Sequence, residues 1–271
     1  MTLSPLGKWL LRGAMTIGLG FIYIPLAVVL ANSFNADRTF AWPPRDLTLT
    51  WWSKAWNSTG ARDALLTSVK TGLGAAAIAL VLGTMIAFAV GRYRFFGRDA
   101  LSLLVVLPIA LPGIVTGMAL STAFQNVAQP LGLQKGLLSV IIGHATFCVV
   151  VVYNNVLARL RRTGANFEEA SADLGATTFQ TFRCVTFPLL RSALFAGGLL
   201  AFALSFDEII VTTFTAGPGI QTLPLWIFNN LFRPNQAPVI NVVAALLIVI
   251  SIVPIYLAQR ISADSAGGGR V

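Results

Sequence analysis

The chain has 271 residues, of which 56% are hydrophobic and only 11% charged, with a formal net charge of +9 and a mean hydropathy of +0.76. A soluble domain carries about 25% charged residues, so too few charges remain to cover a surface in water, and a bilayer must be the solvent for most of the chain. The positive charge does not point to nucleic acid, because the basic residues lie at the ends of apolar runs, which is the pattern of membrane topology.

An apolar segment of about 20 residues crosses a bilayer core. The sequence predicts six such spans, at 9–31, 64–90, 100–124, 136–157, 189–212 and 239–258. The first has Lys8 and Arg12 as a positive flank, as a signal peptide would. Its apolar part is long for one and five more spans follow, so a retained helix is expected. Segment 32–63, before span two, holds Trp42, Pro43, Pro44, Trp51, Trp52 and Trp56. It reads as an aromatic belt with a short interfacial helix, or as a surface that touches an extracytoplasmic partner; the belt is the simpler reading. In span two, Gly72, Gly74 and Gly83 suit close helix packing. Pro108, Pro112 and Gly113 interrupt span three, as a kink or as a break that lines a cavity. His144 is the only histidine. It lies near the start of span four and is expected to be packed rather than to bind a ligand. Cys148 and Cys184 fall in an apolar run and a polar loop, which gives no disulfide or metal framework.

Basic residues set the orientation. Lys8, Arg12, Arg92, Arg94, Arg98, Arg159, Arg161, Arg162, Arg183, Arg191, Arg260 and Arg270 share one side of the six spans. Arg38, Arg45, Lys54, Arg62, Lys70, Lys135 and Arg233 are spread more thinly over the other. The positive-inside bias therefore places both termini and the loop after span four in the cytoplasm.

Span five carries the intramembrane acidic pair Asp207-Glu208. Ionisable groups within spans are costly and face a bundle interior or water. On a continuous helix consecutive residues point about 100° apart, so one carboxylate lines a cavity while the other meets a partner or the interface. The alternative is a pair at the external headgroup level that binds nothing. After span five, Gly217-Pro218-Gly219 and a short apolar stretch fit a segment dipping back into the outer face. There Phe214, Trp226 and Phe228 either cap the external mouth or belong to the aromatic belt. No Gly-Lys-Ser/Thr phosphate loop, His pair, Cys cluster or nucleophile elbow occurs in the sequence. An enzyme therefore lacks its constellation, and no cofactor or metal is implied.

The loop after span four contains Glu169-Ala170-Ser171-Ala172-Asp173-Leu174-Gly175, then nine residues, then Val185-Thr186-Phe187-Pro188. Glu168 and Glu169 suit the start of a short helix that Asn166 is placed to cap. Ala170, Ser171 and Ala172 keep that helix thin, and Gly175 suits its end. A short helix capped at both ends can seat as a rigid knob in a cleft of a soluble subunit. The pattern resembles the EAA loop of ABC importer permeases, with Ser171 in place of the second Ala and Phe187 in place of the usual Leu. Further stretches carry the resemblance: Leu107-Pro108-Ile109-Ala110-Leu111-Pro112-Gly113, Gly143-His144-Ala145-Thr146-Phe147 through Tyr153-Asn154-Asn155, and Leu204-Ser205-Phe206-Asp207-Glu208 through Thr222-Leu223-Pro224. Over nearly its whole length the chain is similar to the second permease subunit of spermidine/putrescine-type ABC importers.

The resemblance implies an all-α, polytopic membrane protein with six transmembrane helices and the type I ABC importer permease (MetI-like) fold. It implies one permease domain over 1–271, with the coupling loop at 159–188, in a bacterial cytoplasmic membrane. The implied partners are a dimer of ATP-binding subunits, a second homologous permease, an extracytoplasmic substrate-binding protein and membrane lipid, with no nucleic acid. ATP hydrolysis then belongs to the separate subunits, and energy enters this chain only as movement. Glu168, Glu169, Ala170, Ser171, Asp173, Leu174 and Gly175 fall on the coupling element. Asp207 and Glu208 are assigned to the substrate path, together with Phe206, Tyr153, Asn154, Thr212 and Trp226. The implied cargo is a polyamine or similar small organic cation. The runner-up is an amino-acid derivative such as 4-aminobutyrate. A stand-alone channel or ion-driven carrier would not need the EAA pattern and ordinarily holds more intramembrane polar ligands.

Overall fold

The computed structural model describes residues 4–38, 42–233 and 236–267. Among them the chain runs as α-helices: α1 (Pro5–Asn32), α2 (Thr50–Asn57), α3 (Thr59–Arg92), α4 (Arg98–Ala110), α5 (Gly113–Ala123), α6 (Leu137–Thr163), α7 (Asn166–Asp173), α8 (Thr178–Thr181), α9 (Phe187–Phe206), α10 (Ile210–Thr215), α11 (Leu223–Asn230) and α12 (Ala237–Gly267). One turn of π-helix, Phe182–Thr186, joins α8 to α9.

Five runs are long and apolar enough to cross a membrane: α1, α3, α6, Thr178–Phe206 and Ala237–Arg260. The sixth expected span, 100–124, is a helix pair bent by 106° at a short break. The break has a local cause. Pro112 has no N–H to donate and forces Leu111 into an extended conformation (φ −82°, ψ 146°). Span three is therefore broken outright rather than kinked. Span five also departs from the expectation. Its helix stops at Phe206, short of residue 212, and restarts as α10.

By its internal contacts the chain divides into two compact units. The first comprises Met1–Arg62 and Ile227–Val249. In it, Ser4 caps α1 by accepting from the Gly7 N–H, and Pro5 fits the first helical turn. The apolar stretch of α1 has no buried residue. The expected short helix in the tryptophan-rich loop is α2. Phe34 stacks on Trp52 at 5.2 Å, and Lys54 lies 4.5 Å from the centre of the Trp51 ring.

The second unit comprises Asp63–Trp226 and Ile250–Val271, and α6 is its axis. Over half of the apolar stretch of α6 is buried. Ala75, Ala76, Ala79, Val152, Val156 and Leu160 belong to one core. Helices in lipid gain little from hydrophobicity and rely on close packing, which small residues permit. A Cβ on Gly83 of α3 would lie 2.9 Å from the Val149 carbonyl oxygen and 3.1 Å from the Tyr153 nitrogen, both backbone atoms of α6. Nothing lies within 4 Å of the corresponding position at Gly13 in α1. Gly83→Val is therefore expected to push α3 off α6 and to destabilise the chain by about 1–3 kcal/mol, the usual cost of overpacking. Gly13→Ala should leave stability unchanged. Thermal unfolding in detergent separates the two; equal midpoints would show that α3 and α6 do not depend on this close approach.

Candidate functional site

The loop after α6 is built from local backbone chemistry. α6 ends at Thr163, and Gly164 turns the chain with φ +64°. α7 follows at once. Asn166 is its first residue rather than its cap: Ala165 precedes the helix, and no side-chain cap bond forms there. The two acids of the first turn, Glu168 and Glu169, complement the helix dipole instead. At the far end Gly175 adopts φ +81°. Its N–H donates to the Ala172 carbonyl and that of Ala176 to the Ser171 carbonyl, which completes a Schellman closure. No atom would crowd a Cβ at Gly175, so its requirement for glycine is torsional and not steric. Thr177 and Gln180 then form a capping box that starts α8.

The residues expected on the coupling element divide between two faces. Glu168 and Ser171 turn toward the rest of the chain. Glu168 receives Arg92 Nε at 2.8 Å and Nη2 at 3.2 Å, and Thr186 Oγ1 at 3.2 Å. Ser171 Oγ lies 3.0 Å from Thr181 Oγ1 on α8. Glu169, Ala170, Asp173, Leu174 and Gly175 are exposed, Leu174 at 89%. Phe167 and Phe179 stand exposed beside them. The outward face is thus a small apolar knob with two carboxylates. Sequence reasoning overlooked Phe167 and Phe179; the signal was available, since both are large apolar residues in a polar loop.

The acidic pair sits at the break in span five. Asp207 ends α9 and accepts from Ser251 Oγ of α12 at 2.7 Å. Glu208 folds onto the next element, where its Oε1 accepts the Val211 N–H at 2.9 Å and starts α10. The two are not successive positions of one helix, so the expected 100° divergence does not apply. His144 spans the break from α6. Its Nδ1 lies 2.8 Å from Ser205 Oγ on α9, and its Nε2 2.8 Å from Thr212 Oγ1 on α10. It is packed, as expected of a lone histidine, and fully buried.

The other residues assigned to the path have varied surroundings. Thr212 is buried and also donates to the Glu208 carbonyl. Tyr153, Phe206 and Trp226 are buried within the chain, and the Tyr153 hydroxyl pairs with Ser102 Oγ of α4 at 2.7 Å. Asn154 and Asp207 are exposed, and Glu208 partly so. The break therefore brings Asp207, Glu208, Phe206 and Thr212 together, while Asn154 and Tyr153 lie farther along α6. Chemically this arrangement can hold a cation by charge and hydrogen bonding.

Comparison with known proteins agrees with this architecture. Residues 79–265 match the family described as binding-protein-dependent transport system inner membrane component. The chain is 33% identical over 263 residues to the spermidine/putrescine transport system permease protein PotC of Escherichia coli, covering 97% of each. It is 32% identical over 260 residues to the putrescine transport system permease protein PotI of the same organism, covering 91% of this chain and 89% of PotI. Its fold matches a chain of a bacterial ABC transporter that imports the acidic polysaccharide alginate. That match has a TM-score of 0.69 at 16% identity and covers 96% of this chain and 99% of the other. A multi-pass helical chain that matches this family over most of its length belongs to the binding-protein-dependent transport system inner membrane components, the permease subunits of ABC importers.

Proposed function

We propose that this chain is one of two different permease subunits of an importer that carries a polyamine across a bacterial cytoplasmic membrane, with both termini in the cytoplasm. The observation that carries the substrate is the resemblance to PotC over 97% of both chains; that protein is named for spermidine and putrescine. The acidic pair at the span-five break supports the same cargo, since a polyamine bears two or more ammonium groups. The exposed face of α7, with Leu174, Phe167, Glu169 and Asp173, is the surface for an ATP-binding subunit. The apolar stretch of α1, which buries no residue, is suited to lipid or to the second permease. An extracytoplasmic binding protein delivers substrate to the outer side, and ATP is hydrolysed outside this chain.

The whole complex in proteoliposomes, with binding protein and ATP, tests the cargo. Labelled spermidine or putrescine should accumulate. Accumulation of 4-aminobutyrate in place of both would replace the polyamine with the zwitterion.

Asp207 and Glu208 are assigned to the path because a cation loses hydration there. The attraction is about 4 kcal/mol at 4 Å for an effective dielectric near 20. Losing a third of it is about tenfold in rate or affinity. Asp207→Asn keeps an oxygen for the Ser251 hydroxyl, so it isolates the charge from the fold. Uptake is expected to fall about tenfold, with the complex still assembled. Glu208→Gln, which keeps its acceptor for the Val211 N–H, should have a similar or weaker effect. Wild-type uptake by both variants over a range of substrate concentrations would remove the pair from the path.

Coupling is tested at α7. A β-branched residue in the left-handed region costs about 1–3 kcal/mol, so Gly175→Val should disrupt the closure of α7. Glu169→Lys opposes the positive helix start. Both are expected to leave the chain in the membrane while reducing co-purification of the ATP-binding subunit and substrate-stimulated hydrolysis. Normal values for both variants would contradict the assignment of this face.

A further inference from the structure

We propose that Arg92 is the positioning residue that makes α7 move as one body with the inner ends of α3 and α6. The proposal rests on the reading of α7 as the element that meets the ATP-binding subunit. Arg92 is the last residue of α3, and its guanidinium reaches both α6 and α7 at once. Two of its nitrogens hold the Glu168 carboxylate in a fork, as given above. Nη1 donates to the Leu160 carbonyl at 3.2 Å and Nη2 to the Gly164 carbonyl at 2.6 Å. Those carbonyls lie at the end of α6, where the helix leaves its last acceptors unfilled and its dipole favours a cation. Glu168 in turn accepts from Thr186, which leads into α9. The two side chains are only 15% and 22% exposed, so water competes weakly for them.

The consequence is mechanical. α7 turns its other face outward and is tied to the membrane helices on its inward face, where this clamp supplies a charged, bidentate hold. A force applied to α7 therefore enters the end of α6. Some 24 Å along that helix, at 1.5 Å per residue, lies His144, bonded to both sides of the span-five break. α6 thus links the clamp to the acidic pair as a single rod. Only a planar fork fills all four acceptor positions. A lysine keeps the charge but is a point donor without the fork.

The test uses the complete complex in proteoliposomes, with the binding protein and labelled putrescine as probe. The readout is putrescine taken up per ATP hydrolysed, alongside co-purification of the ATP-binding subunit. Arg92→Lys and Glu168→Gln should each lower that ratio by about 2- to 30-fold, the span of coupling changes from single substitutions, with the subunit still co-purifying. The double variant should do no worse than the more affected single one, because both remove one interaction. If Arg92→Lys fails to assemble, Glu168→Gln, which preserves size and shape, decides alone. A wild-type ratio in Glu168→Gln, or losses that multiply in the double variant, would overturn the clamp. Gly175→Val separates the two levels. If it uncouples while Arg92→Lys does not, α7 remains the coupling element and Arg92 is not its link. If Gly175→Val also transports at the wild-type ratio, the reading of α7 falls as well.

Discussion

Inside hydrocarbon a backbone amide or carbonyl finds no water, so every helix end at that depth must be answered by the protein itself. This constraint governs the second unit. Span five stops at Phe206, and the repair is visible atom by atom. The Glu208 carboxylate takes the Val211 N–H, Ser139 donates to the Thr215 carbonyl, and Lys135 donates to the Phe214 carbonyl. His144 bonds a hydroxyl on each side of the gap. A histidine suits this place because its two ring nitrogens can satisfy two hydroxyls at once, one as donor and one as acceptor. The helices can be interrupted here only because neighbouring side chains replace the bonds that the interruption removes.

The end of α6 near Arg92 follows the same logic with charge added. The last carbonyls of α6 are answered by an arginine from α3, and that arginine is neutralised by an acid from α7. One side chain thus closes a helix end, pairs a carboxylate and fixes the approach of a loop. The loop's outward face is left free of such obligations. Inward residues such as Glu168 and Ser171 serve the fold, and outward ones such as Leu174 and Glu169 are open to a partner.

Much of this was legible in the sequence where the signal is local. Runs such as 64–90 and 136–157 are apolar enough to declare themselves. Pro112 announces a discontinuity through its missing N–H, and Gly175 a helix end through its tolerance of positive φ. The break at Asp207 was not legible, because Ile209, Ile210 and Val211 continue the apolar run straight across it. What stops the helix is tertiary: Ser251 on Asp207, and His144 on both flanks. Arg92 read only as a topological charge, since its partner lies 76 residues away. Tyr153 and Trp226 have residue types that suit a wet path as well as a core, and only the packing places them in the interior.

The apolar stretch of α1 has a consequence for how that helix is oriented. A helix whose apolar stretch buries no residue has its rotation and tilt set by whatever lies against that stretch and by the anchors Lys8, Trp9 and Arg12 near its start.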